Sequence, residues 1–350
     1  MGWLSVRYYM RQPDREWIQN NLSSLTAHSA PLQQVGETSD EPEFGAWTAL
    51  KLIVLTATVD VYSKIISNNG FDFYYVDAMA GSGITELEGT DNTLVGSPII
   101  AGTVAHEPFS KMYLIEQDSE RAEALRQRLD FAVDEIDAFT QSRDEYELIE
   151  GDANDVLPKI PTWIRDRRGG SLGGTDEQGG AHHFAFIDNE RIEVNFDAIR
   201  ELSEMWGDLL INYQEKGINR EIGRVGSGEV DSWEEILNFF DGNKEVKNID
   251  SPEDRFDLYL EKLDEIDRSI HESVTIHGSE DHPYGYKMVY ATQLTGGGSE
   301  YAEFMEYQRR KVENLTGDDI ETVLRTMRGA ATHLGLWSAD DDSQSKLGEY

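Results

Sequence analysis

The sequence predicts an α/β protein built on a doubly wound, mostly parallel sheet, and three observations predict it. Apolar strand-like runs alternate with helical periodicity five times between residues 47 and 213. The first of those runs passes straight into a glycine turn, Val76-Asp77-Ala78-Met79-Ala80-Gly81-Ser82-Gly83. Two later strand-like runs are separated only by a polar turn and read as an antiparallel hairpin closing the sheet.

Taken in order, residues 1–45 show no sustained period and read as a polar N-terminal extension, with Glu37 to Glu43 as a loop or linker. Residues 46–216 form the predicted core. Leu50, Ile53, Val54, Ala57, Val61 and Ile65 recur at helical spacing, and Asn68-Asn69-Gly70 ends that helix. Phe73 to Val76 is a buried strand, and the stretch from Ile84 to Gly96 is irregular. Ser97-Pro98 opens a helix, with serine as the cap and proline in the first turn. Met112–Glu116 is the second strand, Ser119–Ala132 an amphipathic helix, and Tyr146–Asp152 the third strand. A helix through Leu157, Ile160 and Ile164 leads to a glycine-rich loop over 169–180. Phe184–Asp188 and Asp208–Tyr213 complete the parallel set. Residues 217–270 read as a charged helical insertion or cap. The segment 271–335 supplies the hairpin (Glu272–Ile276 and Tyr286–Ala291) and C-terminal helices, and 336–350 an acidic, disordered tail.

Composition narrows the function classes. The chain has 350 residues, 67 acidic against 31 basic, and a formal net charge of −36. The acids are spread along the chain, arginine outnumbers lysine, and only Asp340-Asp341-Asp342 forms an acidic run. A globally acidic surface of this kind suits a cytoplasm of multimolar salt, which points to a halophilic archaeon. At such salt, counterion release contributes little, so the negative charge does not exclude a nucleic-acid substrate. There is no cysteine, which removes disulfides, cysteine-held metals and thiol nucleophiles. No apolar run of about 18 residues offers a membrane span. The first residues lack the pattern of a secretory signal or lipidation site, so a cytoplasmic protein is expected.

Ligands of doubly wound sheets bind beyond the C-terminal strand ends, where strand order reverses. Those ends carry Asp77, Glu116, Asp152 and Asp188 in four successive equivalent positions. Gly81 and Gly83 let the backbone approach a ligand without a Cβ in the way. Glu116 is placed to accept from two ribose hydroxyls, Asp152 from an adenine amino group, and Asp77 from an ammonium, directly or through water. Acids suit a ligand carrying a sulfonium and an ammonium, such as S-adenosylmethionine, and repel a diphosphate. The third glycine of a dinucleotide turn is replaced by Glu86, and no phosphate-binding Gly-x-x-x-x-Gly-Lys-Ser/Thr loop exists. Asp188 is placed to accept from an acceptor amine and aim its lone pair at the methyl group. His182-His183 lack a third nearby ligand, so no metal is expected. Tyr74-Tyr75 and Phe239-Phe240 read as packing, and Arg220 and Arg224 as partners of an internal acid.

The chain resembles the three-Cys-motif partner (TcmP) family of class I methyltransferase-like proteins. The resemblance runs from about Trp47 to Leu294. It rests on Trp47-Thr48-Ala49-Leu50-Lys51, Tyr75 to Gly83, Gly96-Ser97-Pro98 and Leu114-Ile115-Glu116-Gln117-Asp118. Further matches are Gly151-Asp152-Ala153-Asn154, Phe186-Ile187-Asp188, Asp208 to Asn212 and Asn238-Phe239-Phe240-Asp241-Gly242. It implies S-adenosylmethionine as cofactor and a binding role for Lys51, Ala80, Ser97 and Ala153 beside the residues above. It also implies a protein partner carrying a three-cysteine motif. The family places Asp-Pro after the fourth strand, whereas Asp188 here is followed by Asn189. Three functions therefore compete: a methyltransferase acting with that partner, with nucleic acid as a candidate substrate; a cofactor-binding scaffold without turnover; and an NAD-dependent oxidoreductase.

Overall fold

A computed structural model describes residues 12–39, 43–174, 180–230, 232–281, 285–293 and 298–328. The expected acidic tail, residues 40–42 of the linker and the middle of the glycine-rich loop lie outside the described residues. Along the described chain the strands are β1 (Glu43–Phe44), β2 (Asp72–Asp77), β3 (Ile84–Leu87), β4 (Thr93–Val95), β5 (Lys111–Glu116), β6 (Tyr146–Glu150), β7 (Ala181–Ile187), β8 (Gly207–Tyr213), β9 (Ile270–His277) and β10 (Gly285–Thr292).

Seven strands form the main sheet in the order β6-β5-β2-β7-β8-β10-β9. The first five of that list pair in parallel, and β10 runs antiparallel to both β8 and β9. This is the class I methyltransferase-like arrangement: a doubly wound parallel sheet closed by an antiparallel hairpin. Strand order reverses at β2, because its chain neighbour β5 lies on one side and β7 on the other.

Both faces of the central strands are covered, which is why they read as continuous apolar runs. Tyr75, Phe184, Phe186 and Leu210 point into one core, together with Leu50, Ile53 and Val54 of the helix Thr48–Asn68. Tyr74, Val76, Ala185, Ile187, Leu209 and Ile211 point into the other. That second core is roofed by helices Ile160–Arg167, Phe196–Leu202 and Pro252–Glu265. Phe239 stacks on Tyr259 with ring centroids 5.0 Å apart, so Phe239-Phe240 is packing.

Three local expectations need correction. The described part of the N-terminal extension is helical despite its lack of a sustained period: helices Gln12–Thr26 and Ser29–Gln33 bury Ile18, Leu22, Leu25 and Leu32 in the first core. Three buried side chains dock the first of these helices and one the second, and their polar residues mask the period in the sequence. Residues 84–95 are not irregular, since β3 and β4 form a hairpin that pairs with β1. Finally, His182-His183 lie inside β7 rather than before it. Tyr62 Oη meets His182 Nδ1 at 2.9 Å, the Trp206 carbonyl lies 3.0 Å from His183 Nδ1, and burial holds both imidazoles below their usual range. Among the described residues, no cluster of His, Asp and Glu is arranged for a metal, and no helix is long and apolar enough to cross a membrane.

Candidate functional site

A cleft of about 420 Å³ opens at the C-terminal ends of β2, β5, β6 and β7. Its floor is the glycine turn. The turn straddles the sheet because Ala78 N–H donates to the Phe186 carbonyl of β7 (3.0 Å), while Ala80 N–H donates to the Ile115 carbonyl of β5 (2.8 Å). Those two bonds draw the chain across the gap between diverging neighbours and expose the backbone of 79–82 to the cleft. Gly81 has φ +63°, and a Cβ there would meet nothing within 4 Å. The glycine is required by its left-handed backbone, and the empty space above it is room for a ligand. Gly83 (φ +90°) is confined differently, since a Cβ would meet Leu125 at 2.9 Å.

Glu116 stands at the end of β5, its side chain mostly buried. Its Oε2 accepts from Gly81 N–H and its Oε1 from Asp118 N–H, each at 2.8 Å. The carboxylate is thus fixed against the turn, and its remaining lone pairs face the cleft that it lines. Asp152 caps the short helix Ala153–Val156 through Asn154 N–H (2.8 Å), and Asp152 and Ala153 both line the cleft. Ser97 lines it as well. It opens the helix Ser97–Val104 as the first helical residue, the cap position being Gly96. A Cβ on Gly96 would meet the Gly83 carbonyl carbon at 2.8 Å, so this glycine lets two backbone segments touch.

Asp77 is placed differently. It is fully buried and does not line the cleft, unlike the other three strand-end acids, so of the two expected contacts with a ligand ammonium the one through water suits its position better. Tyr75 Oη donates to its Oδ2 (3.0 Å) and Met79 N–H to its Oδ1 (3.4 Å). Burial pushes the carboxyl up to about 7, with Asp188 adding repulsion, against the hydrogen bonds from Ser97, Tyr75 and Met79 that hold it down. Its role is to brace the turn from below.

On the far side of β2 from Glu116 and Asp152 stands Asp188. The register pairs Ile187 with Ile211, which sets Asp188 beside Asn212 on β8. Asn212 Nδ2 donates to Asp188 Oδ1 (2.8 Å), and Lys51 Nζ donates to Asp188 Oδ2 (2.5 Å). The two charged side chains are 10% and 20% exposed, and both line the cleft. Lys51 comes from the first turn of Thr48–Asn68 and passes over the Phe44 ring, 6.0 Å from its centroid. The structure therefore brings Ala80, Gly81, Ser97, Glu116, Asp152, Ala153, Asp188 and Lys51 into one cleft, with Asp77 and Gly83 behind its wall.

Several contributors were not singled out from sequence. Asn212 was visible only as the end of a strand and of one stretch of the family resemblance, with no role assigned. Arg128 is 2% exposed and donates to the carbonyls of Val35 (2.9 Å), Gly36 (2.7 Å) and Ser82 (2.9 Å). It ties the N-terminal segment to the glycine turn. Its signal was an arginine on the apolar stripe Leu125, Leu129, Ala132 of its helix. Glu190 and Glu193 also line the cleft, and Glu193 is raised by its burial. Arg224 meets Glu221 at 2.8 Å, so the internal acid is its partner.

No family model matches the chain, and no curated protein matches it either. Among solved structures, a protein of Legionella pneumophila aligns at 12% identity and TM-score 0.44, over 74% of this chain and 91% of that one. An rRNA methylase of Streptococcus thermophilus aligns at 12% identity and TM-score 0.34, over 67% and 95%. Trm1 of Pyrococcus horikoshii, in complex with S-adenosyl-L-methionine, aligns at 11% identity and TM-score 0.35, over 76% and 60%. The fold assignment rests on strand order and register rather than on these likenesses.

Proposed function

We propose that the chain is an S-adenosylmethionine-dependent methyltransferase, acting with a three-Cys-motif protein partner and with nucleic acid as its candidate substrate class. The observation that carries this reading is the pairing of Gly81 with Glu116. An open, left-handed glycine and a strand-end carboxylate fixed to its N–H form a cradle for a nucleoside, with cleft space directly above.

The residues fit that cofactor better than a dinucleotide. A diphosphate site needs a helix N-terminus immediately after the glycine turn. Here the turn leads into β3 instead, so no helix dipole points at the cleft from that position. The lining carboxylates Glu116, Asp118, Asp152, Asp188, Glu190 and Glu193 outweigh Lys51 and Arg121, which favours a cationic ligand over an anionic one. The bound cofactor supplies a methyl group already activated by positive sulfur. The protein's own work is then to orient the acceptor: Glu116 and Asp152 fix the nucleoside end, and Asp188 lies on the acceptor side of β2. Positioning of this kind supplies several kcal/mol of rate enhancement.

Isothermal calorimetry with S-adenosylmethionine, S-adenosylhomocysteine and NAD, in molar KCl, tests the reading. Binding of both sulfur ligands and not of NAD is the expected result. Failure of both sulfur ligands to bind removes the proposal. Co-purification with the product of a neighbouring gene carrying a three-cysteine motif tests the partnership.

A further inference from the structure

We propose that Arg191, Arg220 and Arg224, held around Glu221, grip a backbone phosphate of a nucleic-acid acceptor beside the cofactor cleft; this rests on the methyltransferase reading above. A second groove, of about 640 Å³, shares Gln117, Asp152 and Glu193 with the cofactor cleft, so the two adjoin. Arg191, Glu221 and Arg224 line it, the last two from helix Glu215–Gly226. That helix begins hard against the loop after β7. A Cβ on Gly217 would stand 3.4 Å from Arg191 Cα and from the Glu190 carbonyl oxygen. This packing brings Arg191 to Glu221.

Glu221 is 8% exposed, and a glutamate is almost never so buried unless it is paired. One of its oxygens accepts from Arg224 (2.8 Å). The other has no hydrogen-bond partner, with Arg191 and Arg220 each 3.9 Å away. At that separation the carboxylate attracts both guanidiniums without occupying their donors. All three arginines are exposed, and neither Arg191 nor Arg220 donates a side-chain hydrogen bond among the described residues. Even with Glu229, 3.8 Å from Arg224, the cluster holds more positive than negative charge, in a chain where acids outnumber bases twofold. A buried carboxylate of this kind adds little stability. It does set rigid forks side by side, and phosphate is the ligand that such forks hold with parallel N–H donors.

Asp152, Glu193, Glu234 and Glu235 line the same groove. They can accept from base amino groups and ribose hydroxyls but repel phosphate, so an anion has its place at the arginines. In 1 M salt their fields fade within about 3 Å, and contact with guanidinium donors decides. The separation suits one nucleotide. Arg191 follows Asp188 by three residues, at most about 11 Å of extended chain, which a nucleotide can bridge from its base to its own phosphate.

Fluorescence anisotropy tests this with a short single-stranded RNA of mixed sequence, its DNA counterpart and an uncharged morpholino strand of the same bases, in molar KCl with S-adenosylhomocysteine present. A charged strand should bind and the uncharged strand should not. Arg191→Gln with Arg220→Gln should weaken the charged strand by about tenfold or more. Calorimetric affinity for S-adenosylhomocysteine should stay at the wild-type value. Arg165→Gln with Arg167→Gln removes the same charge at the opposite end of the sheet, beside the start of β2, and should leave strand binding unchanged. Glu221→Gln releases Arg191 and Arg220, so it should weaken the strand although it removes a negative charge. Equal weakening by the two arginine pairs, tighter strand binding in Glu221→Gln, or equal binding of charged and uncharged strands overturns the inference. So does wild type that binds S-adenosylhomocysteine but no strand. If wild type does not bind S-adenosylhomocysteine, the methyltransferase reading itself fails, which is a different result.

Discussion

At the scale of single residues, the acids at the strand ends separate into two kinds. Glu116, Asp152 and Asp188 face the cleft, whereas Asp77 is buried beneath the turn. The sequence pattern could place all four at strand ends but could not show which face of the turn each occupied. That choice is made by Tyr75, whose hydroxyl reaches Asp77 from two residues earlier on the same face of β2. Burial has a thermodynamic consequence. Asp77 titrates near 3.8 when unperturbed and at about 7 in the fold, so the folded state binds its proton more tightly. The resulting stabilisation is complete below pH 3.8 and is lost as pH rises through about 7. That difference corresponds to at most about 4 kcal/mol. In thermal melts, the stability of wild type relative to Asp77→Asn should therefore fall between about pH 4 and pH 8. A difference independent of pH would show that Asp77 is ionised throughout. Glu116 makes the complementary case at the ligand. Glu116→Ala should weaken S-adenosylmethionine binding by about 1–3 kcal/mol, the cost of removing hydrogen bonds to a charged group. Unaltered affinity in calorimetry would remove Glu116 from the site.

At the scale of elements, apolar patterning was a reliable guide wherever an element buries one whole face or both. The helix Thr48–Asn68, the five parallel strands and the β9–β10 hairpin were all legible for that reason. Elements held by a few contacts were not. β1, β3 and β4 are two to four residues long, too short for any period to show. The N-terminal helices dock through scattered apolar residues and through carbonyls that Arg128 gathers from Val35 and Gly36. Because the same guanidinium holds the Ser82 carbonyl, these helices and the glycine turn form one mechanical unit. Arg128→Met removes a buried charge but leaves those carbonyls without their donor, at a cost of about 1–3 kcal/mol for each unsatisfied group. The expected result is a lower melting temperature together with weakened ligand binding, and binding unchanged in the folded variant would uncouple the two. Gly96→Ala probes the same turn from the other side. Its new methyl would stand 2.8 Å from the Gly83 backbone, where no side chain can move away. Displacement of the turn should reduce cofactor affinity more than Gly70→Ala reduces stability at an open loop position, and calorimetry beside thermal melts separates the two losses.

At the scale of the whole molecule, charge sets the conditions under which the fold holds. A formal net charge of −36 is distributed over the chain, so no local ion-pair network can neutralise it. Several ion pairs among the described residues are exposed on both sides, such as Lys64–Asp60 and Arg310–Glu306, and pairs of this kind contribute little. The more enclosed charges are of another sort: Lys51 with the partly exposed Asp188 in the cleft, and Arg128 buried among carbonyls. They are less accessible to solvent ions than the surface carboxylates. Screening should therefore relieve surface repulsion while leaving the site's electrostatics intact, because the Debye length falls from about 10 Å at 0.1 M salt to about 3 Å at 1 M. The melting temperature should rise steeply with KCl up to about 1 M and flatten beyond it, since the repulsion is by then screened. A neutral osmolyte at matched water activity should not reproduce the early rise. A melting temperature that is insensitive to KCl, or that rises equally with the osmolyte, would mean that the acidic surface is not what limits stability. Selective tightening of ligand binding with salt would in turn place the carboxylates of the cleft on the screened side of that division.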